Sequence, residues 1–259
     1  MSGNELKSIL EAHRKYLAGE NGGRCADLSN INLKSADLRN VDLSYADLSY
    51  ADLSCADLSC ANLSCANLSD AGLRGANLRN AGLNYANLSY ADLSYADLSR
   101  ANLIGADLSC ANLSDADLSD ANLRMAVNMD KMLWDSHTKF YSMQCPEEGA
   151  FIGWKKAHNQ IVKLEICADA LRSSATSRKC RCSSAKVLAI ENIDGSKYGD
   201  VITSNYDPSF LYKVGEIVKV ENFDTDRWNE CAPGIHFFLT REEAVKYGCT
   251  AAPTQYRKP

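Results

Sequence analysis

Residues Ala26 to Met125 repeat one five-residue unit, Ala-(Asp/Asn)-Leu-Ser-X, twenty times without interruption, and no other feature constrains the fold as strongly. Leucine centres every unit from Leu28 to Leu123, and the position two before it is Ala in eighteen units and Ile31 or Val41 in the other two. Repetition at a fixed short period means that each copy buries its apolar residues against its neighbours. Ala and Leu on either side of one polar residue follow strand periodicity, with two side chains inward. The next two residues, such as Ser49 and Tyr50, are expected to point outward, forming a corner that restarts the inward pair. A chain that turns the same way every five residues winds into a coil, and successive coils pair as parallel strands do.

The outward positions carry a longer period. Lys34 and Arg39 recur as Arg74 and Arg79, Asn40 as Asn80, Tyr45 as Tyr85 and Tyr50 as Tyr90, each forty residues on. A duplication of eight units keeps side chains in register only if it spans whole coils, which leaves two, four or eight units per coil. Two cannot enclose a leucine core and eight would leave a hole, so four sides are expected. The hundred residues then make five coils, a rod about 24 Å long at ~4.8 Å per coil.

The run from Ala46 to Tyr50 and its continuation resembles the pentapeptide-repeat family. The resemblance implies a mainly β protein built on a right-handed quadrilateral β-helix. It also implies that some relatives imitate duplex DNA in shape and charge and act on DNA gyrase. The opening through Gly22, Gly23 and Arg24 is similar to leaders before such repeats in phage and viral proteins. Cys145-Pro-Glu-Glu-Gly, Arg178-Lys-Cys-Arg181 and Cys231-Ala-Pro-Gly-Ile-His-Phe-Phe238 resemble an uncharacterised module that follows the repeats in phage and large-virus proteins, from which no activity carries over.

The boundaries follow from these patterns: a capping helix in 1–24, the β-helix in 25–125, a closing segment in 126–149 and an α+β domain in 150–259. Leu6, Ile9, Leu10, His13, Tyr16 and Leu17 fall at helical spacing between Glu5 and Leu17, with Ser2 or Asn4 as N-cap. That stripe is expected to cover the first coil, with His13 part of it rather than a ligand. Met129, Met132, Leu133 and Trp134 are expected to plug the last coil. Ile161–Ile166, Lys186–Ile190, Tyr212–Val220 and Gly234–Leu239 read as strands. Thr240 and Glu243 read as the capping box of a short helix.

No apolar run approaches the ~18 residues of a membrane span, and Met1–Leu10 lacks a signal peptide's apolar centre. Cys55, Cys60 and Cys65 fall on successive corners, too far apart to bridge, and Cys25 and Cys65 lie two coils apart. Unpaired thiols in such number fit a reducing compartment, hence a cytoplasmic protein.

Function rests on what the rod displays. Tyr45, Tyr50, Tyr85, Tyr90 and Tyr95 form an outward aromatic edge suited to a protein partner. Residues 26–125 hold thirteen Asp and six Lys or Arg, a net charge of −7. A duplex of the rod's length carries roughly 14 charges, so gyrase-directed mimicry is the alternative rather than the main reading. In the C-terminal domain Arg172, Arg178, Lys179, Arg181 and Lys186 form a basic run suited to phosphate or nucleic acid. Residues 126–259 nevertheless total 18 basic against 17 acidic, so a nucleic-acid partner is disfavoured. Cys180, Cys182, Cys231 and His236 lack the two close pairs of a zinc site, and a Cys231–His236 nucleophile pair has no orienting third group. The expectation is a non-enzymatic interaction or scaffold protein with no cofactor or metal and an unnamed protein partner, which could include a second copy of the chain. A small enzyme in 150–259 is a further alternative.

Overall fold

The computed structural model describes residues 2–247, and the chain separates into two compact units, Met1–Ser142 and Met143–Pro259. In the first, helix α1 (Gly3–Leu17) begins at an N-cap Ser2, whose hydroxyl accepts from the Glu5 N–H while the Glu5 carboxylate accepts from the Ser2 N–H. The four orphan donors of the first turn are thereby reduced in number, with an acid placed favourably on the helix dipole. Leu6, Ile9, Leu10 and Leu17 are half-buried, and His13 is the one fully buried helix residue. Gly23 has no space for a side chain, since a Cβ there would lie 2.4 Å from the Tyr16 backbone nitrogen.

Each repeat unit forms the same local structure. The Leu carbonyl accepts from the N–H three residues on, as Leu43 does from Ala46 at 3.1 Å, which closes a β-turn. The second central residue of every such turn from Asn30 to Met125 has φ between 56° and 66°. The preceding Asp or Asn caps that turn: Asp47 Oδ1 accepts from both the N–H and the hydroxyl of Ser49, at 3.0 and 2.7 Å. The serines are therefore drawn inward, and Ser44, Ser49 and Ser94 are buried, contrary to the outward placement expected for them.

Between coils, the backbone pairs in parallel at a spacing of twenty residues, from Asp27 with Asp47 to Asp107 with Val127. Asp47 N–H donates to Ala26 O at 3.0 Å and Leu28 N–H to Asp47 O at 2.7 Å, a ladder repeated up the stack. A turn every five residues and pairing at twenty give four corners per coil. Every repeat leucine is at most 4% exposed, and the alanines opposite them are buried with few exceptions near the first coil. Side-chain ladders reinforce the stack: Asn62, Asn67 and Asn77 each donate to the aspartate twenty residues earlier at 3.0–3.1 Å.

The pairing continues past the last perfect repeat. Asn112 bridges Leu133 and Asp117 bridges Lys139, so extra residues are looped out while the ladder is kept. Met132 is buried, whereas Leu133 is 61% and Trp134 47% exposed. Of the expected plugs, Met132 alone is buried. Leu133 occupies the outward position of the unit, as its pairing with Asn112 requires, so its side chain cannot reach the core.

The second unit holds three antiparallel sheets. The largest orders β1 (Phe151–Ala157), β2 (Gln160–Ile166), β5 (Ser184–Asn192) and β8 (Ile217–Lys219) as β1-β2-β5-β8. A second joins β3 (Arg172–Ser174), β4 (Cys180–Cys182) and β9 (Ile235–Phe237), and a third joins β6 (Val201–Thr203) to β7 (Leu211–Lys213). Val162, Leu164, Ile166, Val187, Ile190 and Phe237 form its core. The stretch Tyr212–Val220, expected as one strand, is broken by a turn at Gly215 (φ 88°), and its halves β7 and β8 join different sheets. Helix α2 (Arg241–Lys246) opens with the expected capping box of Thr240 and Glu243.

Candidate functional site

The tyrosine corners are the most exposed aromatic residues of the first unit among the described residues. Tyr45, Tyr50, Tyr85, Tyr90 and Tyr95 are 54–63% exposed. All five sit at the positive-φ turn position, at 57–65°. Tyr45 and Tyr85 share one column of corners with Cys65 between them, and Tyr50 and Tyr90 the next with Asp70 between them. Tyr85 lies across Gly105 of the following coil, where a Cβ would come within 2.6 Å of the ring. Arg74 stacks its guanidinium over the Tyr95 ring at 4.6 Å. Tyr85 and Tyr95 are thus seated against the rod.

The acidic column behaves differently. Asp37 is paired with Arg39 at 2.6 Å, and Arg39 lies 3.9 Å from Asp57. The Arg39 hydrogen bonds hold the Asp37 carboxyl down at about 2. Asp117 is paired with Lys139 at 2.8 Å. Much of that column is therefore neutralised within the chain. On the last coil, Asp115, Asp135 and His137 bring three potential ligand atoms within 4.8 Å of one another, the one such group among the described residues.

The basic run of the second unit does not form a common surface. Arg181 is 2% exposed, and its guanidinium donates to the carbonyls of Asp224, Pro233 and Asp226. Burial removes it from any solvent-facing patch. Arg172 donates to the carbonyls of Pro146, Gly149, Cys167 and Ala168, and Arg178 is paired with Glu243 at 2.6 Å. Lys186 is exposed on β5. Lys179 alone of the five turns to a cavity.

That cavity has a volume of about 920 Å³ and is lined by residues of the second unit. Strand β1 supplies Lys155 and Lys156 to its wall, and Gly153, Lys155 and Ala157 lie on the buried face of the strand. Gly153 is glycine because Phe237 packs onto it, its ring carbon 2.7 Å from where a Cβ would stand. A backbone bridge between Trp154 and Phe238, at 2.7 and 2.8 Å, ties β1 to the end of β9. Lys155 is therefore fixed at the junction of two sheets, 9% exposed, with its ammonium 5.7 Å from the Tyr212 ring centre. Burial, and then the Lys179 charge, push its amine down to about 8. His236 also lines the cavity. Its Nε2–H donates to the Glu230 carbonyl at 2.8 Å, leaving Nδ1 as the acceptor. Burial and the neighbouring lysines hold His236 down at about 4, so it is neutral at pH 7.

The four zinc candidates are divided by this arrangement. Cys180 and Cys182 are buried in the core with Cys145, while Cys231 and His236 line the cavity. The hydrogen-bond partner of His236 is a backbone carbonyl, so the geometry supplies no carboxylate to orient it for base catalysis. Sequence reasoning reached Lys179 and His236 but missed Lys155. Its signal was a lysine at the middle inward position of Gly153-Trp154-Lys155-Lys156-Ala157, visible only once those residues are read as a strand.

A four-cornered repeat solenoid joined to a small α+β domain defines the class of protein. Residues 24–59, 61–97 and 96–126 match the pentapeptide repeats, in eight copies, and the repeat region belongs to that family. Residues 141–244 match a family of unknown function, DUF5758. An uncharacterized protein, L223, of Acanthamoeba polyphaga mimivirus is 38% identical over 96 residues, which are 34% of this chain. The match spans 61% of that viral protein. The pentapeptide-repeat protein Rfr23 of the cyanobacterium Cyanothece 51142 is similar at 26% identity, over 50% of this chain and 99% of its own, with a TM-score of 0.39. QnrB1, a plasmid-mediated fluoroquinolone resistance protein, is similar at 18% identity over 44% of this chain and 67% of its own, with a TM-score of 0.19. Among the described residues no helix is long and apolar enough to cross a membrane.

Proposed function

We propose that the chain is a non-catalytic interaction scaffold whose solenoid presents its tyrosine corners to a protein partner. The observation that carries this reading is the exposure of five tyrosines, at 54–63%, on turns whose backbone is fixed by hydrogen bonds on both sides. Binding to such a surface loses little conformational freedom, and tyrosine contributes large contact area with a polar tip. We take the solenoid to be right-handed with five full coils over 26–125 and residues 126–149 to close it. Ten described cysteines are free thiols, which fits a cytoplasmic location.

Changing Tyr45, Tyr50, Tyr85 and Tyr90 together to Ser leaves the leucine core intact and is expected to abolish capture of a partner from host lysate. Changing Asp37, Asp57, Asp97 and Asp117 to Asn is expected to leave capture unchanged. DNA gyrase supercoiling serves as the contrasting readout. If the Asn set relieves an inhibition of gyrase that the Ser set retains, the chain is a DNA mimic and the scaffold reading fails. Sedimentation of both sets also shows whether a second copy of the chain is the partner.

A further inference from the structure

The cavity of the second unit contains an unsolved electrostatic problem. Lys155 is buried over most of its length and its ammonium reaches the cavity; a cation in so confined a space is normally matched by a carboxylate or held by carbonyls. Lys155 has neither among the described residues, and its ammonium faces the Tyr212 ring at 5.7 Å instead. Its charged neighbour across the cavity is a second cation, Lys179, which opposes it. The adjacent Lys156, by contrast, donates to the carbonyls of Val245 and Tyr247 at 3.2 and 2.9 Å, which shows how a lysine on this strand is satisfied when its role is structural. Of the acids in the wall, Asp207 is bound to Ser209 at 2.6 Å and Glu221 is exposed. The space in front of Lys155 is walled by Phe210, Tyr212, Phe238 and Tyr247.

We propose that this cavity binds a phosphate monoester carrying a flat ring, with the phosphate between Lys155 and Lys179 and the ring against the aromatic wall. Two like charges facing one space call for a dianion, and a phosphate monoester is mainly dianionic at pH 7, whereas a carboxylate is not. A volume of about 920 Å³ is far larger than a phosphate alone requires and lies in the range of sites for drug-sized ligands. Neutral His236, with Nε2–H committed to Glu230, offers Nδ1 to a hydroxyl or amino group of the ligand. The depressed basicity of Lys155 is the signature of an amine waiting for a counter-charge.

The test is isothermal titration calorimetry on the full chain with uridine monophosphate, phenyl phosphate, benzoate and inorganic phosphate. The two esters are expected to bind, each about tenfold or more tighter than benzoate or inorganic phosphate. Lys155→Met and Lys179→Met are each expected to weaken ester binding about tenfold or more, whereas Lys186→Met, on exposed β5, leaves it unchanged. Lys155→Arg keeps the charge and controls for folding, and is expected to retain more binding than Lys155→Met. The proposal is overturned if neither ester binds at millimolar concentration, or if Lys155→Met binds as the parent does. Benzoate binding as tightly as phenyl phosphate overturns the dianion, and inorganic phosphate binding as tightly as the esters overturns the ring.

Discussion

The backbone N–H of Ala26 donates to Nδ1 of His13 at 3.0 Å, joining the capping helix to the first residue of the repeat. Nδ1 can accept only when it carries no proton, so the ring is the neutral Nε2–H tautomer. Burial lowers the His13 pKa from 6.5, with Asp42 opposing. The unfolded chain takes up a proton on this ring at higher pH than the folded one. Stability is therefore full above about pH 6.5 and falls as the pH drops through the window below it. Thermal melting from neutral pH to about pH 5 should show this loss, and His13→Asn should flatten it. His13→Ala is expected to destabilise the solenoid by about 2 kcal/mol, through the orphaned Ala26 N–H and lost packing.

At the corner of Cys60 the backbone has φ 59°, while Asn40 and Asn80, above and below it in the same column, stand at 59° and 57°. Asn tolerates this region and a β-branched residue does not. Cys60→Asn is expected to keep or raise stability by up to about 1 kcal/mol, and Cys60→Val to lower it by about 1 kcal/mol or more. Chemical denaturation of the two variants checks the order.

Leu78 is fully buried in the middle of the stack, with its N–H bound to Asp97 O and its carbonyl to Ala81 N–H. Its side chain has no route to water. Leu78→Ala is expected to cost about 3 kcal/mol, and Leu78→Asp to prevent the solenoid from folding. A Leu78→Asp protein that melts like the parent would show the leucine column to be outside the core.

Gly105→Ala tests the seat of Tyr85. The added methyl would lie 2.6 Å from the Tyr85 ring, which must swing away, and the corner's φ of 66° adds strain. Proteolysis-free melting should fall by roughly 1–2 kcal/mol. If the tyrosine corners bind the partner, capture should weaken as well, although residue 105 is not itself aromatic.

Lys155 makes the opposite prediction for stability. Its amine is depressed to about 8 from 10.5, so the unfolded chain binds the proton first as the pH falls. Stability is highest above pH 10.5, is lost between 10.5 and about 8, and does not change further below that from this group. The loss is roughly 3 kcal/mol at ~1.4 kcal/mol per pH unit. Lys155→Met should therefore melt higher than the parent at pH about 7 and show less dependence on alkaline pH. Equal melting of the two proteins would mean that the ammonium is solvated.

The repeat carried its fold openly. Because Ala and Leu alternate around one polar residue and the unit never varies in length, each inward position is set by its neighbours two residues away, and the corner decorations recur at forty residues. Local spacing also announced the capping box at Thr240 and offered Ser2 or Asn4 as the first helix's N-cap, of which the structure uses Ser2. Other features were set by residues distant in the chain. The left-handed corners were hidden because Tyr and Cys stand where Asn or Gly would signal them; hydrogen bonds to the coils on either side hold them there. The role of His13 depends on the chain returning thirteen residues later to place the Ala26 N–H against it. Arg181 read as a surface cation, yet carbonyls from Asp224, Asp226 and Pro233 surround it, some fifty residues downstream. Lys155 became unusual only when β9 closed against β1 and brought Lys179 and His236 to the same space. Periodicity reports what a residue does for its own strand. The charge a side chain must live beside is decided by which strands meet, and that is a property of the tertiary fold.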